Sequence, residues 1–258
     1  MARRRLLPYL GLLAVAAATA CGGGTSAGAD GAAGPRSEAR QPSPSVPDTA
    51  SPVPSETTLE ATPSPTSTEP PAFSAKIQKV DRSMLKHSWR PGCPVPVEKL
   101  RMIVMPHWGF DGKVHTGRLI VHESVAEEVA GVFKRLYGWR FPIRRMEPVD
   151  RYGGSDYRSI DADNTSAFNC RRATGSGNWS KHAYGLAIDL NPRENPWVNP
   201  DGSNEHPNAR AFVKRPLDKP GVINPGDRVV KAFERVGWEW GGYWSGAKDY
   251  QHFSKGGG

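Results

Sequence analysis

From Phe73 onward, apolar residues recur at regular steps along the chain; before it, past the first twenty or so residues, large apolar side chains hardly occur. Within 125–137, Val125, Val129, Val132, Phe133 and Leu136 fall three or four positions apart. That spacing lines one face of an α-helix, and Ser124 stands where a capping hydroxyl is expected. A second helix is expected over 227–236, with Val229, Val230, Phe233 and Val236 on its buried face, and a short one over 76–85. Runs of β-branched and aromatic residues mark strands at 119–122, 143–149, 166–171, 186–190, around Trp238, and at 250–253. Helices and strands mix without a regular strand–helix–strand alternation. The expected class is therefore α+β, a small mixed, mainly antiparallel sheet flanked by helices. No internal repeat is visible.

The beginning of the chain follows another pattern. Arg3, Arg4 and Arg5 precede an apolar run over 6–18, which ends in the small residues Ala18, Thr19 and Ala20. This is the layout of an export signal over 1–20. The apolar run is shorter than the roughly 20 residues a bilayer-spanning helix needs. Cys21, followed by Gly22, Gly23 and Gly24, resembles a bacterial lipobox, in which that cysteine becomes the acylated N-terminus. Ala18 stands where such signals usually carry leucine, which leaves ordinary signal cleavage open. Residues 21–72 are dominated by Gly, Ala, Ser, Thr and Pro, too poor in apolar surface to offset the entropy of ordering. They read as an extended tether, with 73–258 as one folded domain. The expected location is extracytoplasmic, at the cell envelope, either lipid-anchored to the membrane through Cys21 or secreted.

Charge and cysteine usage narrow the partners. The formal net charge is +8, of which Arg3 to Arg5 contribute three, leaving +5 on the chain past the signal. A mildly basic surface suits an anionic wall polymer. No basic helix with interleaved aromatics points to nucleic acid. With Cys21 committed, Cys93 and Cys170 remain as an even pair in an oxidising compartment, and a disulfide between them is expected; the alternative is a pair of reduced, buried thiols. No Cys-x-x-Cys occurs, so a thiolate zinc site has no support.

The chemistry concentrates in two short stretches. In Ser180-Lys181-His182-Ala183-Tyr184-Gly185-Leu186-Ala187-Ile188-Asp189-Leu190, a histidine sits in a turn and an aspartate lies inside an apolar strand. A carboxylate flanked by Ile188 and Leu190 needs a partner when buried, and a metal ion is one. Nearer the end, Asp249-Tyr250-Gln251-His252-Phe253 places a second histidine three positions after another aspartate. Two imidazoles and one carboxylate would leave a zinc ion an open fourth position, the arrangement of a hydrolytic site.

The pattern Ser180-x-His182-x-x-Gly185-x-Ala187-x-Asp189 joined to Asp249-x-x-His252 resembles the VanY-like family of zinc D-alanyl-D-alanine carboxypeptidases and L-alanyl-D-glutamate endopeptidases, which share a fold with the hedgehog signalling domain. The resemblance runs over about 92–254 and takes in the flanking stretch from Asn164 to Arg171 and the pair Asn191-Pro192. It implies one zinc ion held by His182, Asp189 and His252, with Asp249 as general base, acting on peptidoglycan stem peptides as a monomer. Many relatives carry glutamate where Asp249 stands; the shorter side chain looks more like the endopeptidase branch. An oxyanion formed during hydrolysis needs a second cationic partner, for which Arg171 is the first candidate and Arg158 the second. Ser180 and Trp244 are candidate substrate contacts or supports for the ligands. Which bond is cut, the terminal D-alanine or one within the stem, stays open. In a regular strand Asp249 and His252 would face opposite ways, so irregular backbone is expected at Tyr250 and Gln251.

Two other classes compete with a metallopeptidase. One is a wall-binding or adhesin module on the same fold without catalysis, which the retained Asp249 argues against. The other is nucleophilic hydrolysis, for which no Gly-x-Ser-x-Gly elbow is present.

Overall fold

The computed structural model describes residues 69–257. The expected export signal, the acylation site at Cys21 and nearly all of the tether fall outside the described residues. Among those described, no helix is long and apolar enough to cross a membrane.

Two antiparallel sheets carry the architecture. The first has the order β1 (Lys76–Lys79), β2 (Leu100–Trp108), β3 (Val114–His122). Its central strand β2 is the longest together with β3, and it has no counterpart among the elements expected from the pattern. The reason is that β2 is apolar on both faces. Ile103 and Met105 pack with helix α1 (Ala126–Gly138) in the main core, while Leu100 and Met102 pack with Val80, Leu85, Val95 and Phe168 in a second, smaller core. A strand buried on both sides shows no apolar–polar alternation to read.

β1 corrects the helix expected over 76–85. Lys76 to Lys79 pair with Arg101 to Val104 across the edge of the sheet. Asp81 then accepts the Ser83 N–H and caps a single 3₁₀ turn, Arg82–Leu85. Non-local pairing to β2 outweighs the local helical preference.

Helix α1 forms as its periodicity requires, burying Val129, Val132, Phe133 and Leu136, and Glu127 and Glu128 in its first turn oppose the helix dipole. Ser124 does not cap it. β3 runs on to His122, whose ring accepts the Ser124 N–H and starts a 3₁₀ turn, Glu123–Val125, that feeds directly into the helix. The helix expected over 227–236 is α3 (Arg228–Glu234), capped by Asp227 through the N–H groups of Val229 and Val230. Between the two, α2 (Asp156–Asp161) starts at the capping hydroxyl of Ser155.

The strand expected over 143–149 shrinks to β4 (Arg145–Met146), while the one expected over 166–171 does not form; β4 pairs in parallel with β5 (Asn164–Thr165), just before that stretch. Past it, 166–170 remains extended but hands its backbone bonds to several partners: Ser166 to Asp189, Phe168 to Ile120, Asn169 to His182 and Cys170 to Ser88. Cys170 and Cys93 are joined in a disulfide.

The second sheet has the order β6 (Ala187–Asp189), β10 (His252–Lys255), β8 (Trp238–Trp240). Ile188, Phe253, Trp238 and Trp240 from this sheet join α1 and α3 in the main core. A further pair, β7 (Trp197–Val198) with β9 (Lys248–Asp249), stands apart from it. The class is α+β as expected, with several small sheets in place of one.

Candidate metal centre

Register brings the first two functional groups together. In the antiparallel pair β6–β10, Asp189 lies directly opposite His252, and Ile188 opposite Phe253. Ile188 and Phe253 enter the main core, so by alternation Asp189 and His252 share the other face.

The third group arrives on a turn whose sequence motif now has a physical reading. Lys181–Tyr184 forms one 3₁₀ turn. The Ser180 hydroxyl accepts the His182 N–H at 3.2 Å and caps its start. Gly185 closes it at φ +68°, where a Cβ would stand 2.6 Å from the His122 nitrogen. The carbonyl of Gly185 accepts that same His122 N–H at 2.9 Å. Both the left-handed conformation and the close approach demand glycine.

His182 is fixed in orientation and tautomer. Its Nδ1 donates to the Ala167 carbonyl at 2.6 Å, which leaves the Nε2 lone pair aimed inward. Nε2 lies 3.1 Å from Asp189 Oδ2 and 3.2 Å from His252 Nδ1, and His252 Nδ1 lies 3.2 Å from Asp189 Oδ1. All three side chains are buried. Among the described residues, this is the one group of three histidine, cysteine or acidic side chains whose donor atoms come this close. Donors bound about 2.0–2.1 Å from a tetrahedral zinc ion stand roughly 3.3 Å apart, so the residues present fit such an ion in both donor type and spacing.

The electrostatics agree with a site built for a cation. Burial opposes ionisation of Asp189, but the His182 and His252 imidazoles outweigh it and hold the carboxyl well below the usual carboxylate range. Burial likewise opposes charge on His182, while Asp189 pulls its pKa up.

Asp249 reaches the same cluster by the irregular backbone expected there. β9 ends at Asp249, the chain bends at Tyr250 and Gln251, and β10 begins at His252 in a different sheet. The bend turns Asp249 Oδ2 to within 4.0 Å of His252 Nδ1. Burial pushes the Asp249 carboxyl up to about 7; the His252 imidazole works against that shift and the Asp189 charge adds to it. Its Oδ1 is buried without a hydrogen-bond partner in the structure. Gly241 permits this packing, since a Cβ there would meet the Asp249 carbonyl at 2.6 Å and the Asp249 Cβ at 2.9 Å.

The remaining candidates divide. The Trp244 ring tilts against His252 at 5.3 Å between centroids and meets Trp197 edge-on at 6.1 Å, so the two indoles wall one side of the cluster. Arg171 pairs with Asp156 at 2.9 Å, and its Nε is buried without a partner. Its charge lies near enough to work, weakly, against the upward shifts of His182 and Asp249. Arg158, by contrast, turns its guanidinium back to the Tyr152 carbonyl at 3.0 Å and over Gly153. Asp156 and the Ala167 carbonyl were not among the residues singled out in the sequence. Asp156 is one of many surface acids until α2 folds, and a main-chain carbonyl carries no residue-type signal.

Residues 174–255 match a family model described as D-alanyl-D-alanine carboxypeptidase. No curated protein and no solved structure matches the chain significantly. The matched stretch contains His182, Asp189, Asp249, His252 and Trp244, and stops short of Arg171, Arg158 and both disulfide cysteines. This part of the chain is thus similar to a peptidase family. The broader resemblance over 92–173 rests on the motifs alone.

Proposed function

We propose that the chain is an exported zinc peptidase that hydrolyses the stem peptides of peptidoglycan. The observation that carries this reading is the convergence of His182 Nε2, Asp189 and His252 Nδ1 within 3.2 Å of one another, with the Asp249 carboxylate beside them. The similarity of 174–255 to a D-alanyl-D-alanine carboxypeptidase family supports both the reaction and the substrate class.

In this reading His182, Asp189 and His252 hold the ion, and a bound zinc supplies Lewis acidity to the reacting water and the scissile carbonyl. Asp249 takes the proton from the water as the carbonyl is attacked and returns it to the leaving amine. A cation next to Asp249 favours its ionised form and so counters the upward pull of burial. Arg171 offers N–H donors to the oxyanion. Ser180 holds the turn that carries His182, and Trp244 with Trp197 excludes water from one side. The N-terminal reading completes the proposal. An export signal over 1–20 delivers the chain, and a tether over 21–72, acylated at Cys21 or released by cleavage, carries the domain 73–258 to the wall as a monomer.

The test is hydrolysis of defined stem peptides with mass detection, comparing the untreated chain, the chelated chain and the chelated chain restored with zinc. Release of D-alanine alone marks a carboxypeptidase, and a longer fragment marks an endopeptidase. Zinc and wall binding without any metal-dependent product would replace this reading with a binding module.

A further inference from the structure

Among the described residues, Trp179 is the one aromatic ring faced by two cations. Arg172 stacks over it at 3.8 Å from guanidinium carbon to ring centroid, and Arg90 lies over it at 5.9 Å. The other stacked tryptophans, Trp89, Trp108 and Trp139, each carry one arginine.

Like charges do not gather without cause, and here the covalent frame assembles them. Arg90 sits in the tight turn that leads into Cys93, with the Cys93 N–H bonded to the Arg90 carbonyl at 3.1 Å. Arg172 follows Cys170 by two residues, and the Cys93–Cys170 disulfide ties the two segments together. Arg172 is held a second time, donating from Nη1 to the Gly177 carbonyl at 2.7 Å. Trp179 itself is anchored opposite Arg172 across a hairpin and packs on the smaller core. Neither Arg90 nor Arg172 has an acidic partner among the described residues, while their neighbour Arg171 is neutralised by Asp156. Both arginines are exposed.

We infer that Arg172, stacked on Trp179, and Arg90, which approaches the same ring, form an oxyanion-binding subsite for a carboxylate or phosphodiester group of the substrate or its polymer. A guanidinium held against an indole is pre-organised, so little side-chain entropy remains to be lost when its N–H edge meets an anion. The hairpin that bears Arg172 and Trp179 leads directly into the turn that carries His182. The Arg171 carbonyl accepts the Ser180 N–H at 3.1 Å, and Ser180 caps the turn holding His182. The subsite's role in cleavage rests on the peptidase reading above; its ability to bind an anion does not. In that reading the anion is a free carboxylate of the acidic stem peptide.

The test is calorimetric binding to the full chain in an Asp249→Asn background, which stops turnover. Three probes are compared: a stem peptide with its glutamyl α-carboxylate free, the same peptide amidated there, and a short poly(glycerol phosphate). The free acid is expected to bind about tenfold more tightly than the amide. Arg90→Gln with Arg172→Gln is expected to abolish that preference, leaving circular dichroism and the unfolding midpoint unchanged. Arg90→Lys with Arg172→Lys, which keeps the charge and loses the fork, is expected to fall between. A loss confined to poly(glycerol phosphate) would assign the phosphodiester in place of the carboxylate. Unchanged affinity of the Gln pair for all three probes would overturn the subsite. A chain that cleaves stem peptide yet shows no anion preference would sink this inference and spare the peptidase reading; preference without cleavage would do the reverse.

Discussion

Two buried carboxylates five residues apart in the chain, Asp189 and Glu194, each sit in a cluster of charged groups, and the two clusters meet the problem of buried charge in opposite ways. In the candidate metal centre, Asp189 is faced by two imidazoles. In the second cluster, Asp163 and Glu194 are both almost fully buried, and Arg193 bridges them. Its Nε donates to Glu194 Oε1 at 2.9 Å and stands 3.8 Å from Asp163 Oδ2, with Arg144 at 3.6 Å from the same oxygen. Asp163 Oδ2 and Glu194 Oε2 have no hydrogen-bond partner in the structure. Burial, reinforced by the Asp163 charge, pushes the Glu194 carboxyl up to about 7, whereas Asp189 is driven far down. One cluster presents converging lone pairs that call for a cation from outside. The other has its own cations in Arg193 and Arg144, and there burial and a neighbouring acid push the Glu194 carboxyl up, as burial does for Asp249 beside the candidate metal centre. Burial alone therefore says little about a carboxylate's role; the identity of the groups facing it decides.

The sharpest way to break this contrast is to remove a ligand. His182→Ala or His252→Ala should leave no stoichiometric zinc and no detectable hydrolysis. Asp249→Ala should retain zinc and lose roughly 10²–10⁴-fold in kcat. Metal analysis paired with stem-peptide kinetics reads both outcomes, and an Asp249→Ala enzyme with near-normal kcat would remove the proposed base.

Stability gives the next largest effect. Free zinc at a hundred times its Kd should stabilise the folded chain by about 2.7 kcal/mol, so chelation should lower the thermal midpoint. Glu194→Gln should leave that chelation shift intact, since its cluster is neutralised from within. A chelation shift that vanished in Glu194→Gln would show the two clusters to be one unit.

A pH-dependent effect follows from the raised pKa of Glu194. Because Glu194 has a raised pKa when folded, the folded chain holds a proton that the unfolded chain has released between its ordinary value and about 7. The stability from this group is complete below about pH 4.5 and is lost as pH rises through 7. Glu194→Gln should therefore match the parent near pH 4 and exceed it by up to about 3 kcal/mol at pH 8. Denaturant titrations at the two pH values measure it, and equal stability at pH 8 would contradict the assignment. Smallest of all, Trp244→Ala should raise KM several-fold and leave zinc content unchanged.

Much of the centre was legible in the residues, for reasons the structure makes plain. The spacing from Ser180 to Asp189 encodes a cap, a ligand, a left-handed glycine and a strand, all decided within ten residues. The bend at Tyr250 and Gln251 was also foreseeable, because alternation forbids Asp249 and His252 from meeting without it. β2 was not legible, since Leu100, Met102, Ile103 and Met105 are buried on two sides and leave no period to detect. Ser124 looked like a cap only as long as the end of β3 was unknown. Nor could the pairing of Arg171 with Asp156, or the gathering of Arg90 and Arg172 on Trp179, be read from their positions in the chain.

By itself the sequence determined the helical face of α1, the α+β class and the residues with metal-binding chemistry. Each of these depends on local spacing or residue type, and short-range geometry settles such features. Only the tertiary structure decided which strands pair, which arginine is neutralised and which is left facing solvent, and which buried carboxylate faces imidazoles and which faces another acid. Those outcomes depend on contacts between segments tens of residues apart, where loop closure, burial and register act together and no local pattern records the result.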